Sequence, residues 1–356
     1  MITLVNKTNI GDPYHSNPSS GFFWWYFDIV DESGNGAVVI WSQNLPFLPT
    51  SKRLDHNASQ RPSLNVVLYR NHKTVFYLFQ EYPSTEIEWS PAKGYWRFGN
   101  TVIQQTEEND VIHLHMDVHA PIPSSAAHLS GTIEFRGPKR KDVPVQDSGF
   151  HHWSPIATNC LGQVKLQDDK AQYAFRGRCY HDSNSSSRPI QDLGIEKWWW
   201  GRFSFPHQET IIYVLSPETD TASIDMLLNV DKSGEMNVSD ITQIQFQEPQ
   251  KSIFGLHYPQ RLLINSSAED LIIQPTHLLD DSPFYQRFMA TATQGKQTAI
   301  GYLEQVAPPK IGLLWQQPFV RMKVHDLSGA NSMWLPLFTG NRTDSFWKQL
   351  SRCTPF

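Results

Sequence analysis

A carboxylate and a phenol lie two residues apart in the segment FRGRCYHDSN (175–184). Alternate side chains of a strand point to the same side. If the segment is extended, one face therefore carries four polar residues: Arg176, Arg178, Tyr180 and Asp182. A nearby guanidinium lowers the pKa of an Asp, whereas burial raises it. The group is either a structural ion pair or a general acid, and Asp182 can act as the acid only if burial dominates.

Two adjacent histidines and a tryptophan lie in GFHHWSP (149–155), directly after a stretch rich in Pro, Gly and basic residues at 136–149. We interpret that stretch as a linker, because it has no periodic apolar pattern. Ligand sites are common at domain junctions, so His151, His152 and Trp153 are candidate site residues. The alternative is that the histidine pair only holds the loop in place through hydrogen bonds.

Two further segments are aromatic on both faces of a predicted strand. In GFFWWYFDIV (21–30) one face carries Phe22, Trp24, Tyr26 and Asp28, and the other carries Phe23, Trp25 and Phe27. In EKWWWGRFSF (196–205) one face carries Trp198, Trp200 and Arg202, and the other carries Trp199, Phe203 and Phe205. Such strands either pack inside a sandwich or line an apolar cavity. An aromatic cavity suits a polyene or a carbocation, which each ring face stabilises by about 0.5–2 kcal/mol.

One more cluster has the residue types of a metal site: His113, His115, Asp117 and His119. The alternate positions of the same strand are apolar: Ile112, Leu114, Met116 and Val118. Because these apolar side chains form a continuous core face, we expect the histidines to face solvent or a polar cleft. We therefore predict no metal site.

The composition narrows the class of protein. The 356 residues carry 30 Lys and Arg against 35 Asp and Glu, and this net charge of −5 gives no electrostatic footprint for nucleic acid. Aromatic residues make up 12% and charged residues 18%, so apolar surface is plentiful and charges are few. The fingerprints G-x-G-x-x-G, G-x-x-x-x-G-K-[ST], G-x-S-x-G, H-E-x-x-H and C-x-x-C do not occur, which argues against a nucleotide-dependent enzyme.

The N-terminal residues lack the basic and apolar regions of a signal peptide. No apolar run approaches the roughly 18 residues of a membrane span. Cys160, Cys179 and Cys353 are too few for a disulfide framework. We therefore expect a cytoplasmic protein with reduced thiols, for which peripheral membrane contact is an option.

The elements that must position these residues are strands. Twelve short segments rich in β-branched and aromatic residues are separated by turn formers such as ESGNG and RNHK. No helical pattern long enough for a β-α-β crossover intervenes, so we predict an all-β chain of antiparallel barrels or sandwiches. We place an N-terminal domain at 1–138 and a C-terminal domain at 139–356, with short helices at 282–289 and 343–352.

Four motifs occur in an order and spacing that resemble one family: WWYFDIVDESGNGAVVIW, HHWSP, F-x-G-x-x-YHDSN and W-x-WGR. They are similar to the carotenoid 1,2-hydratase (hydroxyneurosporene synthase) family. That family belongs to a lipocalin-like superfamily which also includes fungal Diels–Alderases of polyketide biosynthesis. The resemblance covers roughly residues 20–215 and continues more weakly to the end. It implies two lipocalin-like antiparallel β-barrel domains, a ligand pocket near their junction, and no cofactor.

The resemblance also implies roles for single residues. In the hydratases a His-x-Trp pair and a Tyr-x-Asp pair are associated with catalysis, and the Asp is the proposed proton donor. The matching residues are His151 with Trp153, and Tyr180 with Asp182. Apart from the resemblance, we predict that seven further residues bind the substrate: Trp24, Trp25, Tyr26, His152, Trp198, Trp200 and Arg202. This chain departs from the family pattern at Phe23, where an acidic residue is usual, and after Asp182, where Ser-Asn-Ser-Ser replaces His-Asn-Trp-Gly.

Three functions are compatible with these features. The first is a cofactor-independent enzyme that protonates a C=C bond of a hydrophobic isoprenoid or polyene and yields hydration or cyclisation, with Asp182 as general acid. The second is a pericyclase, which needs only a pocket that holds diene and dienophile in reactive geometry. The third is a carrier of apolar ligands. We favour the first, because a carrier has no need of Tyr180, Asp182 and His151 together.

Overall fold

The computed structural model describes residues 2–4, 21–43, 47, 62–90, 93–123, 125–141, 151–218, 223–267, 269–311 and 313–343. The chain divides into two compact units. The smaller unit comprises Gln191–Leu313, and the larger comprises Ile2–Ile190 together with Leu314–Phe356. Strands account for 67% of the structure and helices for 8%, which confirms the all-β prediction.

The described strands are β1 (Ile2–Leu4), β2 (Phe22–Val30), β3 (Gly36–Ser42), β4 (Ser63–Arg70), β5 (Lys73–Glu81), β6 (Ile87–Ser90), β7 (Tyr95–Phe98), β8 (Thr101–Glu108), β9 (Val111–Pro121), β10 (His128–Pro138), β11 (His151–Gln167), β12 (Gln172–Ser186), β13 (Ile195–Ser204), β14 (Gln208–Pro217), β15 (Ile224–Asp231), β16 (Met236–Ser239), β17 (Ile241–Lys251), β18 (His257–Ser266), β19 (Leu271–Asp281), β20 (Tyr285–Gln294), β21 (Gln297–Val306), β22 (His325–Asp326) and β23 (Gly340–Asn341). The helices are α1 (Pro308–Ile311), α2 (Gln317–Arg321) and α3 (Leu335–Phe338), with 3-10 turns at Ser84–Glu86, Ile190–Asp192 and Leu314–Gln316. None of the helices in the described part of the chain has the length and apolar character of a membrane span.

The larger unit holds one sheet, to which the described residues contribute fourteen strands. Twelve run in the order β22-β5-β4-β3-β2-β12-β11-β10-β9-β8-β7-β6, while β1 pairs with β11 and β23 with β5. Tight hairpins connect several neighbours. Asn71 and His72 join β4 to β5, and Asn109 and Asp110 join β8 to β9. All four have positive φ angles between 49° and 62°, as two-residue hairpin turns require.

This sheet curls so that one of its faces, called the inner face here, closes over an apolar core. Trp25 on β2 packs edge-on against Trp96 on β7. The ring centroid of Trp41 on β3 lies 4.3 Å from that of Phe98. The other side of the sheet is called the outer face. Because successive side chains of a strand alternate, each of these strands contributes residues to both faces.

The smaller unit holds a second sheet, which has nine strands within the described residues, in the order β16-β15-β14-β13-β21-β20-β19-β18-β17. One face of it forms a separate apolar core, which includes Trp199, Phe203, Ile212, Leu262, Phe288 and Leu303. The aromatic strand at 196–205 is therefore half core, because alternate residues of β13 join this cluster.

Two predictions about local organisation differ from the structure. The boundary predicted at 138/139 falls inside the larger unit, because β10 and β11 pair with each other on either side of it, with Ile133 opposite Val164. The helix predicted at 282–289 is wrong: β20 begins at Tyr285 and pairs with β21. The helix predicted at 343–352 lies outside the described residues except for Thr343.

The cluster of His113, His115, Asp117 and His119 lies on β9, where buried apolar side chains alternate with polar ones as the sequence predicts. Ile112, Leu114, Met116 and Val118 are buried in the core of the larger unit. On the other side of the strand, Nδ1 of His115 lies 3.5 Å from Oε1 of Glu134, and the rings of His119 and His128 stack at 4.5 Å. Among the described residues no group of three or more His, Cys, Asp or Glu side chains is placed to hold a metal ion.

Candidate active site

Three adjacent strands, β2, β12 and β11, carry most of the predicted site. β12 lies between the other two and is antiparallel to both. Residues that pair directly across an antiparallel sheet point to the same face. Asp182 pairs with Tyr26 on one side, and Asn184 pairs with Trp24 and with Trp153. These residues therefore share the outer face, opposite the apolar core.

The carboxyl group of Asp182 is the centre of a hydrogen-bond network. Its Oδ2 accepts bonds from Nε1 of Trp153 and from the hydroxyl of Tyr180, both at 2.8 Å. Its Oδ1 accepts a bond from Nδ2 of Asn184 at 3.2 Å. Asp182 is only 2% exposed, and Trp153 and Tyr180 are fully buried. Three donors from two strands thus fix the orientation of a carboxyl group that is shielded from water.

His151 joins this network through Asn184. Its Nε2 lies 3.3 Å from Oδ1 of Asn184. An amide oxygen only accepts, so Nε2 carries the proton and donates it. Burial lowers the pKa of His151 to about 3, although the bond to Asn184 opposes this shift. The imidazole is therefore neutral at neutral pH and belongs to an ordered chain: His151 donates to Asn184, and Asn184 donates to Asp182.

Aromatic rings lie on the same outer face. Phe22 stacks on Trp24 with 4.5 Å between ring centroids and meets the ring of His151 at 5.9 Å. The ring of Tyr26 lies 6.4 Å from that of Tyr180. The network around Asp182 therefore lies beside an aromatic surface of the kind that the sequence analysis associates with a polyene or carbocation.

Two predicted substrate-binding residues do not lie on this face. Trp25 is 1% exposed and packs in the core against Trp96. His152 pairs with Ser185, one position along from the outer-face pair of Trp153 and Asn184, so it points to the inner face, and it is buried. Both predictions are corrected, because strict alternation along β2 and β11 places neighbours of Trp24 and Trp153 on the opposite face. Arg176 is exposed, so it does not pair with the buried Asp182.

The remaining predicted residues, Trp198, Trp200 and Arg202, belong to the smaller unit. They lie on the non-core face of β13 and are buried. Nη1 of Arg202 bonds to Oε1 of Glu209 at 3.2 Å and to Oγ of Ser204 at 3.0 Å. This ion pair accounts for the buried charge of Arg202. A role of these three residues in substrate binding stays a prediction.

Asn184 is the residue that the sequence analysis missed. It was part of the motif YHDSN but was not assigned a role. It lies two positions after Asp182, which puts both on one strand face. Only the cross-strand register brings His151 within reach of it, and register cannot be read from a local motif.

Known proteins are similar to this chain in sequence and in architecture. The family model of the carotenoid hydratase CrtC matches residues 38–329. A "hydroxyneurosporene dehydrogenase" of Chlorobaculum tepidum is 22% identical over 365 aligned positions, which cover 93% of this chain and 94% of that protein.

Solved structures with low sequence identity have the same fold. AttH from Nitrosomonas europaea superposes with a TM-score of 0.58 at 13% identity, covering 85% of this chain and 99% of the other. CghA with bound Sch210972 superposes with a TM-score of 0.57 at 11% identity, covering 83% and 90%. These likenesses support the lipocalin-like architecture. The family model spans most of the 356 residues, and the chain belongs to the carotenoid hydratase family.

Proposed function

We propose that the protein protonates a carbon–carbon double bond of a hydrophobic isoprenoid or polyene, with Asp182 as the general acid. Family membership indicates an enzyme that modifies a terpenoid or polyene. The role of Asp182 as general acid is supported by its buried carboxyl group, which three donors hold in one orientation. A general acid must be held in place and kept away from competing water; the three hydrogen bonds hold this carboxyl group, and its burial excludes water.

The two oxygens of Asp182 are not equivalent, and this difference supports a proton on Oδ1. Both acceptor positions of Oδ2 are used by the short bonds from Trp153 and Tyr180. When the proton moves from Oδ1 to a substrate carbon, negative charge develops on the carboxyl group. Hydrogen bonds to Oδ2 strengthen as their acceptor becomes anionic. The two donors therefore stabilise the transition state more than the ground state.

The protonated substrate is a carbocation with two outcomes. In hydration, the oxygen of a water molecule bonds to the cationic carbon and then loses a proton, so that water is added across the double bond. In cyclisation, an internal double bond supplies the electron pair, and a proton is lost from a neighbouring carbon. In each case the carboxylate of Asp182 regains one proton. The rings of Trp24 and Tyr26 are the proposed shelter for the cation.

His151 is a positioning residue in this scheme. A neutral imidazole with a pKa of about 3 donates no proton to an alkene at neutral pH. Its bond to Asn184 instead orients the amide so that Nδ2 points at Asp182. We further propose that the enzyme works in the cytoplasm and takes its apolar substrate from a membrane surface.

Replacement of Asp182 by Asn tests the proposal. The amide keeps the shape but has no acidic proton, so turnover should fall by about 10²–10⁴-fold. The first probe is neurosporene, the acyclic carotene whose hydration gives hydroxyneurosporene, followed by any ligand that co-purifies with the protein. Asp117→Asn, an exposed residue of β9, is the matched control and should retain full activity. An Asp182→Asn variant of near-normal rate would instead support a pericyclase.

A further inference from the structure

Exposed apolar side chains are concentrated in the C-terminal part of the larger unit. Leu314 and Trp315 are each 59% exposed, and Phe319 is 44% exposed. We call these three residues the apolar patch. Single exposed apolar residues are normal on a soluble surface, but a cluster that includes aromatic rings marks a contact surface.

The patch is held in a fixed orientation by contacts on its other side. Val320 and Val324 pack against Tyr77 and Phe79 of β5. Directly after Val320, Nη1 of Arg321 bonds to Oε2 of Glu81 at 2.9 Å. The turn at Leu314–Gln316 and helix α2 are therefore anchored to the sheet, and the patch side chains point outward because their neighbours point inward.

The two aromatic rings of the patch lie next to each other. Trp315 and Phe319 are four residues apart, which places them on one side of a helical segment, and their ring centroids are 6.3 Å apart. Two more exposed apolar residues follow before α3: Met333, which is 62% exposed, and Trp334, which is 42% exposed. Nearby in the chain, Nζ of Lys323 lies 5.8 Å from the centroid of the Phe338 ring in α3.

The charge of this segment differs from that of the chain. The chain has a net charge of −5, but residues 314–343 contain three basic side chains and one acidic side chain: Arg321, Lys323, Arg342 and Asp326. Glu81 compensates the charge of Arg321, and Lys323 and Arg342 against Asp326 still leave the segment with a small positive charge. Exposed Trp, Leu and Phe next to basic residues are typical of segments that lie in the interface of an anionic bilayer.

We propose that the apolar patch docks the protein on the surface of an anionic lipid bilayer. The patch inserts Leu314, Trp315 and Phe319 at the headgroup boundary, while Lys323 contacts lipid phosphates. The benefit of docking rests on the proposed function, because an isoprenoid or polyene substrate partitions into membranes and a docked enzyme can reach it there. The docking itself requires no catalysis, so it is measured without substrate.

Vesicle flotation tests the proposal with phosphatidylcholine vesicles that do or do not contain phosphatidylglycerol. We expect the wild-type chain to float with the vesicles, and to float more completely when phosphatidylglycerol is present. The combined variant Leu314→Ser, Trp315→Ser and Phe319→Ser should bind at least about tenfold more weakly. The matched control replaces three exposed apolar residues of the smaller unit, Val238→Ser, Ile253→Ser and Leu278→Ser, and should bind like the wild type.

Three results would overturn the proposal. The wild-type chain could fail to float with either vesicle, or the patch variant could float as well as the wild type. The third is a wild-type dimer in solution that the patch variant abolishes, because the patch would then be covered by a second copy. Circular dichroism of each variant verifies the fold. Asp182→Asn should float like the wild type, so a failed mechanism and a failed docking surface give different results.

Discussion

The two faces of strands β2, β11 and β12 have different roles. On the outer face, Asp182 accepts hydrogen bonds from Trp153, Tyr180 and Asn184. On the inner face, one residue along, His181 stacks on Phe27 at 3.9 Å within the core. A polar network and an aromatic core are thus separated only by the thickness of one sheet. Alternation along the strand lets a rigid core support a precisely oriented carboxyl group.

Two buried histidines, His151 on the outer face and His181 on the inner face, show the same difference between the faces. Burial lowers the pKa of both His151 and His181 to about 3. His181 bonds through Nδ1 to the backbone oxygen of Tyr26 at 2.9 Å, so it helps to hold two strands together. His151 bonds to a side chain that in turn bonds to Asp182. A shifted pKa therefore does not identify a site residue, whereas its bonding partner does.

The largest expected effect is a difference in stability between variants of the inner face and variants of the outer face. Trp25→Ala on the inner face should lower the free energy of unfolding by about 3–5 kcal/mol, because it leaves a cavity in the core. Trp24→Ala on the outer face should cost much less stability and should lower turnover instead. Urea unfolding and steady-state rates on both variants provide the measurement. Equal stability losses would contradict the division of roles.

The next effect concerns the donors to Oδ2 of Asp182. Tyr180→Phe removes one hydroxyl donor and keeps the ring, so turnover should fall by about 10²–10³-fold. The matched control is Tyr173→Phe, whose hydroxyl bonds to Asp168 at the far end of the β11–β12 hairpin. The control should lose some stability but little activity. A Tyr180→Phe variant with an unchanged rate would remove the proposed stabilisation of the carboxylate.

A smaller effect is expected on the pH dependence of stability. Histidine in the unfolded chain has a pKa near 6.5, while His151 and His181 in the folded chain titrate at about 3. Unfolding between these pH values takes up a proton at each ring. The stability contribution is complete above pH 6.5 and is lost as the pH falls towards 3, by about 1.4 kcal/mol per pH unit for each histidine.

Single replacements resolve this pH dependence. His151→Gln and His181→Gln should each remove a similar share of the slope of unfolding free energy between about pH 3 and 6.5. Only His151→Gln should also lower turnover at neutral pH, because only His151 orients Asn184. If both variants lost activity equally, the distinction between the two faces would fail.

Much of this arrangement follows from period-two alternation in the sequence. It predicted that Tyr180 and Asp182 share a face and that the histidines of β9 oppose a core face, as the structure has them. The assignment of Trp25 and His152 to the substrate-binding residues did not follow this alternation, since their parity places both on the inner face.

Long-range pairing is what the sequence could not supply. The stretch at 136–149 has the composition of a linker, yet the strands on either side of it are neighbours in one sheet. The segment at 282–289 begins with Ser, a common helix cap, but aromatic and alternating residues then pair with β21. Likewise, the contact between His151 and Asn184 depends on the register of β11 and β12, which is set by the whole hairpin.

Proton transfer to carbon is the central claim, and turnover in D₂O tests it most directly. With neurosporene or the co-purifying ligand as substrate, the wild-type enzyme should place one solvent deuterium on a product carbon, as measured by mass spectrometry and NMR. Asp182→Asn should give almost no product and therefore almost no labelled product. A product that carries no deuterium on carbon, formed by Asp182→Asn at a near-normal rate, would contradict the account.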